Sequence, residues 1–248
     1  MSADSSVSAP GNDRAQTAVV GVALLLGITV LAVGGLTATA GSIVEDGSAS
    51  AAATRVGDDF ETALGPAPGD RETTVELATG TIQVVNRTVW LLDDEGVVWA
   101  GHAGAIVYAD GGQRVTGFAG AVVQSDDRGS RVVAPSRVAP ANGTLYVGVP
   151  VLNASGADGV STGGHRLAMT LRTDARTERV DLPASSYRIG IETPTPAAWE
   201  RHLKERGATT SRRDIDGDGT PSVVASFEGE RTAYLVVHDV RLAVEVGR

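Results

Sequence analysis

Thr81–Leu92 reads TIQVVNRTVWLL, a run of β-branched, aromatic and leucine residues that opens after Gly80 and stops at Asp93-Asp94-Glu95-Gly96. Such a run, bounded by residues that accept positive φ, is a β-strand leading into a hairpin. The same texture repeats on both sides: TTVELA (73–78) precedes it, and GVVWAG (96–101), GAIVYAD (104–110), QRVTGFAGAVVQS (113–125), SRVVAPS (130–136), GTLYVGVPVLN (143–153), HRLAMTLRT (165–173), RVDLPA (179–184) and YRIGIET (187–193) follow. Asp110-Gly111-Gly112 and Asp126-Asp127-Arg128-Gly129 supply further hairpin connections. From residue 66 to 248 the sequence therefore specifies a mainly antiparallel β head.

One helix interrupts this pattern late. Thr195 is an N-cap candidate, Pro196 suits the first turn, Trp199, His202 and Leu203 share a face, and Gly207 ends the segment. Trp199 reads as core. The chain then closes in SVVASF (222–227) and TAYLVVHDVRLAVEV (232–246), the second apolar enough for a central strand.

Between that helix and the last strands lies Asp214-Ile-Asp216-Gly-Asp218-Gly219-Thr220. Carboxylates at positions 1, 3 and 5 with glycine at 6 open a calcium loop, because alternate side chains turn several oxygens toward one hard cation. Position 12 holds Ala225 in place of a bidentate Glu, with Glu228 farther on. Asp214, Asp216, Asp218 and Thr220 are the candidate ligands of a structural Ca²⁺, and ordinary acidic turns share this composition. No other cofactor is implied.

Toward the N-terminus, residues 14–44 read RAQTAVVGVALLLGITVLAVGGLTATAGSIV, with no formal charge after Arg14 until Glu45. Ala18 to Ala40 gives roughly 34 Å of helix, enough to cross a bilayer. A secretory signal with Ala38-Thr39-Ala40 as cleavage site, a plain anchor and a processed assembly helix are the three readings. Gly21, Ala23, Gly27, Gly34, Gly35 and Ala38 give small surfaces on which such helices approach one another.

The order Arg14-Ala15-Gln16-Thr17-Ala18-Val19-Val20-Gly21, running on to Ile28-Thr29-Val30, resembles the class III signal peptide of type IV pilin-like surface proteins of halophilic archaea. Ala18 departs from the proline common in those pilins. The resemblance implies cleavage by a prepilin peptidase between Ala15 and Gln16, with Arg14, Ala15 and Gln16 as processing residues, and other pilin-like subunits and assembly machinery as partners. The layout it implies is a leader (1–15), a transmembrane helix (16–44), a neck with Ser48 to Ala53 pliant and an amphipathic extension along Val56, Phe60 and Leu64 (45–65), and the head (66–248). The fold class is then α+β: a long N-terminal transmembrane helix followed by the β head with its one late helix.

Composition fits an extracellular setting. The chain carries 21 Lys+Arg against 30 Asp+Glu, a net charge of -9, and no cysteine. That balance matches a halophile's hydrated surface, and equally a mesophilic acidic protein; it offers no basic patch for nucleic acid. Disulfides and thiol chemistry are excluded. Asn86-Arg-Thr88, Asn142-Gly-Thr144 and Asn153-Ala-Ser155 are glycosylation acceptors that place the head outside the cell.

His102, His165, His202 and His238 are scattered and form no metal or triad motif, so the sequence does not read as an enzyme. Convergence of His238 and Asp239 in a cleft would revive a hydrolase. The functional expectation is a non-catalytic, pilin-like, membrane-anchored surface protein, a minor filament subunit or adhesion component. The alternative is a singly anchored extracellular solute- or surface-binding domain that never enters a filament.

Overall fold

The computed structural model describes residues 47–65, 69–154, 160–161 and 167–246. The chain divides into two compact units, Met1–Ser48 and Ala49–Arg248, and all described residues except 47 and 48 belong to the second. Its elements are helix α1 over described residues 47–64, then β1 (Gly69–Leu77), β2 (Thr81–Leu92), β3 (Val97–Asp110), β4 (Gln113–Phe118), β5 (Ala121–Asp126), β6 (Gly129–Ala134), β7 (Arg137–Ala141), β8 (Thr144–Ala154), β9 (Val160–Ser161), β10 (Leu167–Ser185) and β11 (Arg188–Glu192). Helix α2 (Pro196–Lys204), β12 (Ala208–Arg213), β13 (Ser222–Phe227) and β14 (Arg231–Val246) complete it.

The strands form two sheets. One has five strands in the order β1-β10-β14-β8-β7; the other has nine, ordered β12-β13-β11-β2-β3-β4-β5-β6 with β9 added against β2. Every pairing is antiparallel except β14 with β8. Acidic turns make the hairpins: Asp93 Oδ1 accepts the Glu95 and Gly96 N–H groups at 2.9 and 3.0 Å, and Asp126 Oδ1 accepts those of Arg128 and Gly129 at 2.8 and 3.0 Å.

The larger sheet is buried on both faces. On one, Ala103, Ala105 and Val107 of β3 meet Leu145, Val147, Val149 and Leu235 of the smaller sheet, together with Trp199 and Leu203 of α2. On the other, Ile106, Tyr108, Val115 and Val122 meet Phe60 and Val56 of α1 and Leu152, Met169, Leu171 and Val240. Continuous apolar runs such as Ala105–Tyr108 follow from this, since neither side of the strand reaches water. The smaller sheet thus gives opposite faces to the two cores at its two ends. The crossing falls at Gly104, where a Cβ would stand 2.6 Å from the Leu152 carbonyl oxygen.

Among the described residues no helix is long and apolar enough to cross a membrane. Helix α1 exposes Arg55, Asp58 and Glu61 opposite Ala53, Val56, Phe60 and Ala63, and α2 has nine residues with Arg201 and Lys204 exposed. Both are short helices lying against sheets, and their charged faces do not suit hydrocarbon. The expected fold class is corrected to a mainly antiparallel β structure with two short helices. Single-pass membrane placement and the pilin-like anchored role lose their structural support with it and are not carried further. The leader 1–15 and the segment 16–44 lie outside the described residues.

The neck is also corrected. Ser48 to Ala53 is helical, because alanines favour helix and Ala53 is buried at 1 % exposure. Helix α2 falls where the sequence places it, although Thr195 makes no side-chain cap bond and its hydroxyl instead lies 3.1 Å from that of Thr193. Trp199 is 1 % exposed and Phe60 0 %. Trp199→Ala and Phe60→Ala are each expected to cost about 3–5 kcal/mol in urea unfolding, against less than about 0.5 kcal/mol for the control Val97→Ala at an exposed position.

Candidate cation site

Glu192 ends β11, and its side chain shares a face with its cross-strand neighbour Ser222 at the start of β13, which in turn opposes Arg213 at the end of β12. Directly opposed residues of antiparallel strands point to the same side. The connection from Arg213 to Ser222 is the acidic loop, and it folds back over this face. Ile215 anchors it: a Cβ on Gly190 would meet Ile215 Cδ1 at 2.7 Å and Trp90 Cε3 at 3.1 Å. Glycine at 190 therefore leaves the room in which the loop seats.

The loop's conformation is set by its own carboxylates. Asp214 Oδ1 accepts the Gly217 N–H at 2.8 Å and Oδ2 the Gly219 N–H at 3.0 Å, and both glycines have positive φ, +78° and +88°. Asp218 accepts the Thr220 N–H at 2.7 Å and its hydroxyl at 3.3 Å. This fold carries Asp216 and Asp218 to Glu192, and one oxygen of each of the three lies within 4.8 Å of the others.

Glu192 is the buried member, with its side chain 4 % exposed. Oε2 accepts the Thr88 N–H at 2.8 Å and Oε1 accepts from Arg87 at 3.1 Å. Burial pushes its carboxyl above the usual range and the nearby Asp218 and Asp216 add to the rise, while the Thr88 N–H and Arg87 act against it. Ser222 is 0 % exposed, and among the described residues its Oγ has no hydrogen-bond partner. This hydroxyl stands on the same sheet face as Glu192, where a bound cation could take its lone pair.

The donor set fits a hard cation. Two oxygens on opposite sides of a Ca²⁺ at about 2.4 Å stand about 4.8 Å apart, and Ca²⁺ takes oxygen ligands at 2.3–2.6 Å. Of the four residues read from the sequence as ligands, Asp216 and Asp218 are in the cluster. Asp214 spends both oxygens on the glycine amides, and Thr220 is engaged by Asp218. Glu228 is not in the cluster; Glu192 occupies the part considered for it. Nothing local in YRIGIET marks that residue, because only the β11–β13 register brings it to the loop.

The remaining candidates separate. Asn86 is exposed on β2 and Asn142 is exposed at the β7–β8 turn with φ 41°, so both side chains are accessible. The side chain of Asn153, His165, and the processing residues Arg14, Ala15 and Gln16 lie outside the described residues. His238 Nδ1 lies 3.0 Å from Thr177 Oγ1, and burial followed by Arg137 holds its pKa down.

His202 pairs with Ser136, with Nε2 2.9 Å from the serine Oγ and accepting its N–H at 3.2 Å. Where a catalytic histidine has an acid, this one has the Arg206 guanidinium, 2.9 Å from Nδ1. Burial first, and Arg206 second, lower its pKa to about 4.

These features define a two-sheet β domain with an acidic loop poised for a hard cation. Residues 14–243 match the model of a family of unknown function, DUF7289, and the chain belongs to that family. No curated protein and no solved structure matches it. The family match shows no pilin identity, and it carries no archaeal or halophilic signature, which corrects the archaeal and halophilic attributions.

His202 also makes a pH prediction. The folded state keeps its ring neutral down to about pH 4, whereas an unfolded histidine takes up a proton near pH 6.5. The unfolded state binds more protons in that window, so its stability contribution is lost progressively as pH falls from about 6.5 to about 4. Urea midpoints of His202→Gln are expected to fall less steeply over that range than those of the wild type.

Proposed function

We propose that the domain is non-catalytic and that its site binds a hard divalent cation of the Ca²⁺ class, which clamps the Asp214–Thr220 loop onto β11. The observation that carries this reading is the convergence of Glu192, Asp216 and Asp218 oxygens within 4.8 Å beside the partnerless, buried Ser222 hydroxyl. Three like charges so placed repel, and an ion between them turns that repulsion into attraction. In a chain without cysteine, the ion ties the loop between β12 and β13 to β11 of the larger sheet as a disulfide would elsewhere.

The non-catalytic part rests on the imidazoles. The buried Ser136–His202 pair faces a guanidinium, which disfavours the protonated ring a general base must become. His102 Nδ1 lies 3.3 Å from Thr88 Oγ1 and His238 Nδ1 lies 3.0 Å from Thr177 Oγ1, so the nitrogen that an acid orients in a catalytic triad faces a threonine hydroxyl in both.

Tb³⁺ luminescence excited through Trp90, which lies beneath the loop beside Gly190, reads the site directly. The wild type is expected to sensitise Tb³⁺, to lose the signal on Ca²⁺ addition, and to gain about 2.7 kcal/mol of stability at a Ca²⁺ concentration one hundred times its Kd. Asp216→Asn and Glu192→Gln are expected to weaken binding at least tenfold. Unchanged unfolding at 10 mM Ca²⁺ together with no sensitised emission would refute the reading.

A further inference from the structure

Glu192 presents its two oxygens to partners of different kinds. Oε2 is held by the Thr88 main-chain N–H at 2.8 Å, at the point where the β2–β11 ladder ends after Ile191 and Val89. Oε1 is held by the Arg87 guanidinium at 3.1 Å. A main-chain donor in a strand stays where it is. An arginine side chain that is 24 % exposed does not have to.

Arg87 has a second acceptor ready. The nitrogen that reaches Glu192, NH1, also donates to the main-chain oxygen of Asn86 at 2.9 Å. Arg87 alternates with Thr88 and Trp90 along β2, so its stem leaves the opposite face from Glu192, and its partly exposed side chain has access to solvent. Among the described residues bonded to the three carboxylates, Arg87 is the one that brings a positive charge: the others are the Thr88 and Thr220 amides and the Thr220 hydroxyl.

We propose that Arg87 is a built-in placeholder for the cation: it neutralises Glu192 while the site lacks an ion and gives up Oε1 when the ion arrives, so that cation uptake releases a guanidinium to the surface. This rests on the cation reading above and adds its regulation. The charge arithmetic favours it. Three ionised carboxylates carry three negative charges; Arg87 offsets one of those charges and a divalent ion offsets two, so the ion is the stronger neutraliser of the same oxygens. With Arg87 still bonded to Oε1, one lone pair needed by the ion is engaged and a like charge stands beside it.

The proposal differs in sign from its rival. If Arg87 served only to orient Glu192, removing it would weaken cation binding. As a competitor, its removal strengthens binding, by about tenfold for one positive charge some 5 Å from a divalent ion at a wet surface.

Tb³⁺ titrations with Ca²⁺ competition on the wild type, Arg87→Gln and Arg87→Lys test this. The expected result is Arg87→Gln binding about tenfold tighter, with Arg87→Lys within about threefold of the wild type because the charge is kept. Binding by Arg87→Gln that is equal or weaker overturns the proposal, as does Arg87→Lys matching Arg87→Gln. A second measurement needs no variant. Phenylglyoxal modification of the wild type, mapped by peptide mass spectrometry, is expected to proceed several-fold faster at Arg87 with Ca²⁺ than without, and an unchanged or slower rate overturns release. A wild type that binds neither Tb³⁺ nor Ca²⁺ overturns the cation reading itself, and this proposal with it.

Discussion

The close approach of β8 to β3 at Gly104 is the constraint on which the rest of the molecule is built. With the Leu152 carbonyl oxygen 2.6 Å from where a Cβ would stand, no side chain fits, and the two backbones pass at the limit that glycine permits. The two cores diverge from that crossing. One is closed by α2 and the β7–β8–β14 end of the smaller sheet, the other by α1 and the opposite end. Because the larger sheet is covered on both faces, its strands cannot shift register without exposing one core or the other. That fixes the β2–β11–β13 rows from which the candidate site is made.

The site is a consequence of where a covered sheet runs out of apolar partners. At Gly190 the face is still apolar, with Trp90 and Ile215 upon it; one row farther on, Thr88, Glu192 and Ser222 stand together. A buried carboxylate there is costly unless it is bonded, and Thr88 and Arg87 supply two bonds. The loop adds two further carboxylates, which raises the cost of the arrangement in the absence of an ion and increases the gain when one binds. Cation affinity, in this account, is stored as electrostatic strain among groups whose positions the sheet has already set.

Much of the fold was legible because strand and turn chemistry are local. TIQVVNRTVWLL is β2, and the three Asp-Gly turns are hairpins. GVVWAG and GAIVYAD, read as two strands, are the single strand β3, since Gly101 makes room for the Trp99 ring and Gly104 serves a backbone crossing, and neither breaks the strand. HRLAMTLRT and RVDLPA join through a polar stretch into β10, which is long because β14 pairs along nearly its whole length. The parallel pairing of β14 with β8 had no local signal. Gly47 and the serines after it suggest a pliant neck, but Ser48 to Ala53 is helical because the packing of α1, with Ala53 buried, decides the conformation.

The candidate site was half legible for the same reason. Alternating aspartates announce a turn of oxygens, so Asp216 and Asp218 could be picked out. Which aspartates face the ion and which brace the loop depends on hydrogen bonds to Gly217 and Gly219 that composition does not specify. Glu192 and Ser222 are joined to the loop only through strand register, and a sequence shows register poorly. The most direct measurement is a crystal structure with Tb³⁺, located by its anomalous scattering. The account predicts a peak bonded by Glu192, Asp216 and Asp218 beside Ser222 Oγ, with Arg87 turned away from Glu192. A crystal that takes up no ion there, or holds it on Asp214 and Thr220 with Glu192 still paired to Arg87, would contradict it.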